Sequence, residues 1–378
     1  MFIKSRVGYF FKYRGYVLRL IAFIFIFVLF CLFDATQVVG VTNSIDSSTL
    51  LKKAKSAGLK PIPNSKSALL KLTERNDTVL NRDEEIELGK DLYFDRRLSR
   101  SNLISCNTCH DLSIAGDDGI SAARGDNWKQ NLEHLNSPTV YNAVFHKKQF
   151  WDGRSPNLED QAQQPIVNPV EMASSEELVI DKLNSLDYYV KKFKVAYGKD
   201  TNITLGRVGD AIGAFERTLV TPSRFDDFLN GNLSALSERE KAGLNLLIDK
   251  GCTTCHNDVA LGGTMQPFGV IAKYKYESIG GFKGDKNGFV KTATLRNITK
   301  TSPYFHNGEI WSLSDAIKEM GRIQLGLKIS SEDAKLIEDF FVSLDGRMPK
   351  IVYPILPPSN DNTPKPDTGG VKDTSNAK

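Results

Sequence analysis

Apolar residues in the middle of this chain recur at helical spacing, and no run of alternating apolar and polar residues marks a strand. Residues 83–94 set Ile86, Leu88 and Leu92 among charges, with acidic residues in the first turn, as a helix start requires. Residues 204–219 place Leu205, Val208, Ile212, Phe215 and Leu219 on one stripe. Ser237 with Glu240 makes a capping box ahead of Leu244, Leu247 and Ile248, and Gly251 stops that helix. Ser312 with Asp315 opens another that runs through Ile317 to Met320. A last helix over 331–344 carries Ala334, Ile337, Phe340, Phe341 and Leu344. The pattern predicts an all-α protein.

The two ends read differently. Lys4, Arg6, Lys12, Arg14 and Arg19 precede an apolar run from Leu20 to Phe33, which Asp34 ends. Those fourteen residues suit a signal-peptide core better than a helix crossing about 30 Å of hydrocarbon. Residues 1–40 are therefore an export signal, with Val38 and Gly40 near a cleavage site, or an uncleaved N-terminal membrane anchor; both imply the periplasm. Residues 41–78 are polar and irregular and read as a linker. Residues 351–378, rich in Pro, Asn, Asp, Gly and Lys, bury too little to offset their ordering entropy and read as a disordered tail.

With 378 residues the chain has room for two domains. We expect them at 79–229 and 230–350. Net charge is +4 with 25% charged residues, and no Lys/Arg block points to nucleic acid. Of five cysteines, Cys31 lies in the apolar N-terminal run and the other four form two identical pairs. Cys106-Asn107-Thr108-Cys109-His110 and Cys252-Thr253-Thr254-Cys255-His256 each have the form that attaches haem covalently. Two thiols three positions apart on a helical turn reach both vinyl groups of one porphyrin. The adjacent histidine is then carried beneath the ring as the proximal iron ligand. A zinc site would draw its second ligand pair from within about 20 residues, and none is spaced so.

Beyond the motifs, the histidines are His134, His146 and His306, and the methionines after the initiator are Met172, Met265, Met320 and Met348. Met320 shares a helix face with Leu313 and Ile317, downstream of the second motif. Thioether ligation there would raise a reduction potential; core filling is the other reading. Met265, in a Gly-rich loop, competes for the same role. His146, beside Lys147 and Lys148, reads as a surface residue.

Several longer motifs carry a resemblance. They are Asn136-Ser137-Pro138-Thr139, Phe150-Trp151-Asp152-Gly153-Arg154, Asn168-Pro169-Val170-Glu171-Met172, Leu295-Arg296-Asn297 and Thr301-Ser302-Pro303-Tyr304-Phe305-His306-Asn307-Gly308. From about Glu84 to Met348 the chain resembles the bacterial diheme cytochrome c peroxidase family, which also includes the diheme enzyme of methylamine utilisation. The resemblance implies two cytochrome c-like domains with long loops, each carrying one haem c. It makes the haem of His110 the peroxidatic one, with Gln161 and Glu171 in its distal pocket and Pro165 shaping that pocket. It places the second ligand of the His256 haem fourteen residues past His306, at Met320. Tyrosine stands there in the methylamine-utilisation branch, so methionine favours peroxidase chemistry over oxidation of a partner protein. His306 is implied to support the second haem pocket without ligating iron.

Trp151 matches the aromatic between the haems. Asn136, with the carbonyls of Thr301 and Pro303, matches a calcium site. The implied partners are hydrogen peroxide, a small electron donor (cytochrome c or cupredoxin), and a second copy in a homodimer. From the residues alone, Glu171 also reads as an acid at a helix N-terminus, Gln161 as a solvated helix residue and Trp151 as core. One departure stands out. Many members carry a histidine ten residues before the Asn-Ser-Pro-Thr proline, which caps the peroxidatic iron; here that position is Trp128. His134, in the same loop, is a substitute; an open first haem is the main expectation.

Overall fold

The structure, a computed structural model, describes residues 46–73, 79–131 and 133–369. The expected signal or anchor lies outside the described residues. Among the described residues no helix is long and apolar enough to cross a membrane. From Asp46 onward the chain packs as one compact unit. Its main helices are α1 (Ser47–Ser56), α2 (Arg82–Phe94), α3 (Leu158–Val167), α4 (Glu176–Asn184), α5 (Asp187–Tyr197), α6 (Leu205–Glu216), α7 (Arg224–Leu229), α8 (Glu238–Asp249), α9 (Leu313–Leu325) and α10 (Ser331–Val342). The described residues hold one small sheet, β1 (Met265–Pro267) antiparallel to β2 (Phe289–Lys291), with Met265 opposite Lys291. The all-α expectation holds.

The helices fall into two packed groups. In the first, α2 lies against α5 and α6, and α6 against α3. Its core draws Leu88 and Leu92 from α2 and Val208, Ile212 and Phe215 from α6. In the second, α8 and α9 pack on α10 around Leu244, Leu247, Ile337, Phe340 and Phe341. Each group has a very close helix crossing that only glycine permits. A Cβ on Gly89 would lie 1.8 Å from the Ala211 carbonyl oxygen, and one on Gly243 would lie 1.9 Å from that of Leu336.

Three segments differ from the expected boundaries. The supposed linker contains α1, whose Leu50 and Ala54 share a face and are fully buried against the second group. Lys53 ties the same helix to Asn245 and Asp249 on α8, each at 2.5 Å. An apolar stripe of two positions among lysines is too short to announce itself. The short helix α7 was placed in the first domain, yet its Phe225 ring sits 5.1 Å from Phe340 of the second group.

The third segment is the tail, whose described part, residues 351–369, has no helix or strand but is strapped across the first group. Arg97 Nη1 donates to the Pro357 carbonyl at 2.7 Å, and Asn360 Nδ2 to that of Ser185 at 2.7 Å. The Tyr353 ring lies 4.9 Å from Phe94. A low apolar content underrated this segment because hydrogen bonds to the folded body, more than buried area, hold it.

Candidate functional site

The first motif is a single helical turn, Cys106–Cys109, entered through a capping box between Ser105 and Thr108. Spacing of three puts both sulfurs on one face of that turn. The His110 amide donates to the Cys106 carbonyl at 3.0 Å, which sets the histidine directly after the pair. Cys106, Cys109 and His110 line one cavity. Burial pushes the His110 imidazole down to about 4. It is therefore neutral, as a metal-ligating imidazole must be, and its Nδ1 has no hydrogen-bond partner.

Gln161 and Pro165, four residues apart on α3, share a face and line the same cavity. Glu171 follows on a turn: Met172 N donates to the Pro165 carbonyl at 3.0 Å, and Glu171 N to that of Asn168 at 3.1 Å. Glu171 is thus no helix N-terminal acid. Its carboxyl faces the cavity, with Oε2 buried and unpartnered. Burial raises its pKa, Arg154 opposes the shift, and Glu133 adds to it. Asp126 N donates to the Glu171 carbonyl at 2.5 Å, docking the loop that carries Trp128 against this turn. Trp128 itself is 54% exposed and does not line the cavity.

The second motif turns at Gly251, whose φ of +82° is the left-handed conformation that favours glycine. Cys252, Cys255 and His256 line a second cavity, together with Met320 from α9 and His306. His256 Nδ1 lies 3.1 Å from the Leu261 carbonyl. A carbonyl only accepts, so Nδ1 carries the proton and Nε2 is left to ligate. Met265 does not line this cavity; its sulfur lies 2.4 Å from where a Cβ on Gly153 would be. His306 sits in an aromatic cage, its ring 5.4 Å from Phe268, 5.3 Å from Phe282 and 6.4 Å from Trp151.

Trp151 lines both cavities. Its Nε1 donates to the Asn136 carbonyl at 2.9 Å, and its own carbonyl accepts from Lys291 N at 2.8 Å. Asn136 Nδ2 donates to the Pro303 carbonyl at 2.7 Å, while Asn136 Oδ1 is buried without a partner. The orphaned amide oxygen is the one donor atom here that a hard cation would take up.

Of the two other histidines, only His146 departs from its reading. His134 Nε2 pairs with Glu309 Oε1 at 2.9 Å and lines neither cavity. His146, read as surface, lines the first cavity with both ring nitrogens buried and unpartnered. The lysines beside it were the misleading signal. Lys291 was missed altogether, because nothing in a lone lysine marks it as buried.

The residues present fit two covalent haems. Four free cysteines stand in two pairs, each followed by an imidazole whose pKa burial lowers. Orphaned polar atoms of His110, Glu171 and His306 face the two cavities. Zinc fits poorly: among the described residues no three His, Cys, Asp or Glu side chains cluster to hold a metal ion. The family model described as di-haem cytochrome c peroxidase matches residues 83–234. The chain is 42% identical over 325 residues to cytochrome c551 peroxidase of Pseudomonas aeruginosa, covering 82% of this chain and 91% of that one. The chain belongs to this family.

A second relative, cytochrome c551 peroxidase of Nitrosomonas europaea, is 44% identical over 288 residues, covering 74% of this chain and 85% of that one. Among solved structures, the diheme peroxidase BthA from Burkholderia thailandensis has a TM-score of 0.56 at 15% identity, covering 82% of this chain and 98% of that one. That likeness shows the fold. As a di-haem cytochrome c peroxidase family member, the chain is an oxidoreductase acting on peroxide and carries two haems c.

Proposed function

We propose that hydrogen peroxide is reduced to water at the haem held by Cys106, Cys109 and His110. Electrons would enter through the haem held by Cys252, Cys255, His256 and Met320, from a small cytochrome c or cupredoxin. The observation that carries this reading is Glu171, whose unpartnered buried carboxyl oxygen shares a cavity with His110. The bound haems supply the redox chemistry and the electron relay. Glu171 accepts a proton from one peroxide oxygen and returns it to the other as the O–O bond breaks. Two electrons and two further protons complete two waters. The Gln161 amide orients peroxide from the adjacent turn, and Pro165 keeps that wall free of a competing N–H. Trp151, on the wall of both cavities, is the proposed electron path.

Asn136 with the carbonyls of Thr301 and Pro303 is proposed to hold calcium, on the orphaned Oδ1. Bacterial attachment of haem c takes place outside the cytoplasm, so the basic and apolar N-terminal run is read as export to the periplasm, by cleaved signal or retained anchor. Steady-state reduction of peroxide by a reduced small cytochrome tests the whole reading: turnover in proportion to enzyme is expected, and its absence overturns it. A second measurement addresses the loop. Trp128 faces solvent and His134 is held by Glu309, so the fully oxidised protein is expected to bind cyanide at the first haem without prior reduction. A low-spin bis-histidine signal from that haem would overturn this expectation.

A further inference from the structure

Lys291, at the end of β2, is only 4% exposed. Lysine is seldom buried so fully unless it is paired. Its backbone N–H goes to Trp151, yet among the described residues its ammonium has no hydrogen-bond or ion-pair partner. Burial pulls Lys291 down to about 8, although the charge of Asp152 favours its protonated form. It lines both cavities, and it supplies the only lysine or arginine on the described wall of the second. His146 stands close enough to feel its charge, and both its imidazole nitrogens are buried without partners. Two unsatisfied donors at one place indicate a missing acceptor that carries negative charge.

Each haem brings two propionate carboxylates, while its vinyl edge is committed to the cysteines. We propose that Lys291 and His146 form a carboxylate-binding corner between the two cavities, and that it holds haem propionates, Lys291 serving both haems. The ammonium would then supply charge-assisted hydrogen bonds to carboxylates that otherwise lack a cation in the second cavity. Because Lys291 hangs from the Trp151 carbonyl, the same residue places a positive charge beside the path between the haems. The inference needs haem loading alone and holds whether or not the chain turns over peroxide.

Redox titration of the fully loaded protein tests it, followed by absorption at each haem. A positive charge beside a haem favours its reduced form, so removing it lowers the potential. Lys291→Gln and Lys291→Met are expected to lower both midpoints alike. The expected shift is about tenfold in the one-electron equilibrium constant, which is about 59 mV. Lys291→Arg keeps the charge and should keep both midpoints close to wild type. Lys291→Gln protein with both haems attached and both midpoints unmoved overturns the proposal. If the neutral variants fail to load haem, Lys291→Arg decides: loading with both midpoints retained supports the proposal, and midpoints lowered by about 59 mV overturn it.

Discussion

Glu171→Gln is expected to keep both haems and the oxidised absorption spectrum while losing between about 10²- and 10⁴-fold of peroxidase turnover, the usual cost of removing a proton-transfer group. The substitution preserves side-chain volume and hydrogen-bonding capacity, so the turn that Met172 and Asn168 hold should survive. What it removes is the ability to take and return a proton. The loss should fall on kcat more than on KM, since the proton moves in the transition state. A second signature separates this from a packing defect. Burial raises the Glu171 pKa, and the group must be ionised to accept a proton. Turnover of the wild type should therefore decline as pH falls through that raised value, and Glu171→Gln should lack that limb. A variant with undiminished turnover, or with the acid limb intact, sinks the assignment.

Much of this site could be read before any coordinates because its chemistry is local in sequence. A haem-attachment unit needs two thiols and an imidazole within five consecutive residues, and the structure places both units on the helical turns that spacing requires. Helices α2, α6, α8, α9 and α10 were legible for a similar reason: their caps and apolar stripes lie within one element. The hidden features all depend on partners far along the chain. His134 is taken up by Glu309, 175 residues away. Lys291 gains its place between the cavities only when β2 meets the Trp151 loop, and no local pattern foretells that. His146 was misjudged by the same logic, since charged neighbours in sequence said nothing about the glycine loop that covers its ring.

The Leu295-Arg296-Asn297 motif was likewise legible as a family mark but silent about its work, and its second residue should produce the largest stability effect in the chain. Arg296 is fully buried, and its guanidinium forks onto Asp226, Nη1 to Oδ2 at 3.0 Å and Nη2 to Oδ1 at 2.8 Å. Its Nε donates to the Val259 carbonyl at 2.6 Å, just beyond the second haem motif. Asp226 is as heavily engaged. It accepts from Ile62 N at 2.8 Å, which ties down the segment after α1, and from Ser223 N at 2.7 Å in the capping box of α7. Arg296→Met would leave the Asp226 carboxylate buried without a cation, a change that typically costs about 3–5 kcal/mol. At roughly 2 °C per kcal/mol, the low end for larger domains, the thermal midpoint should fall by about 6–10 °C. Covalent haem makes unfolding prone to irreversibility, so wild type and variant must be compared at one scan rate. Replacing both partners with apolar residues, Arg296→Met with Asp226→Leu, removes the stranded charge and should recover part of the loss, though not the cap on α7. If Arg296→Met melts with the wild type, the four segments are held together by packing and the ion pair is dispensable.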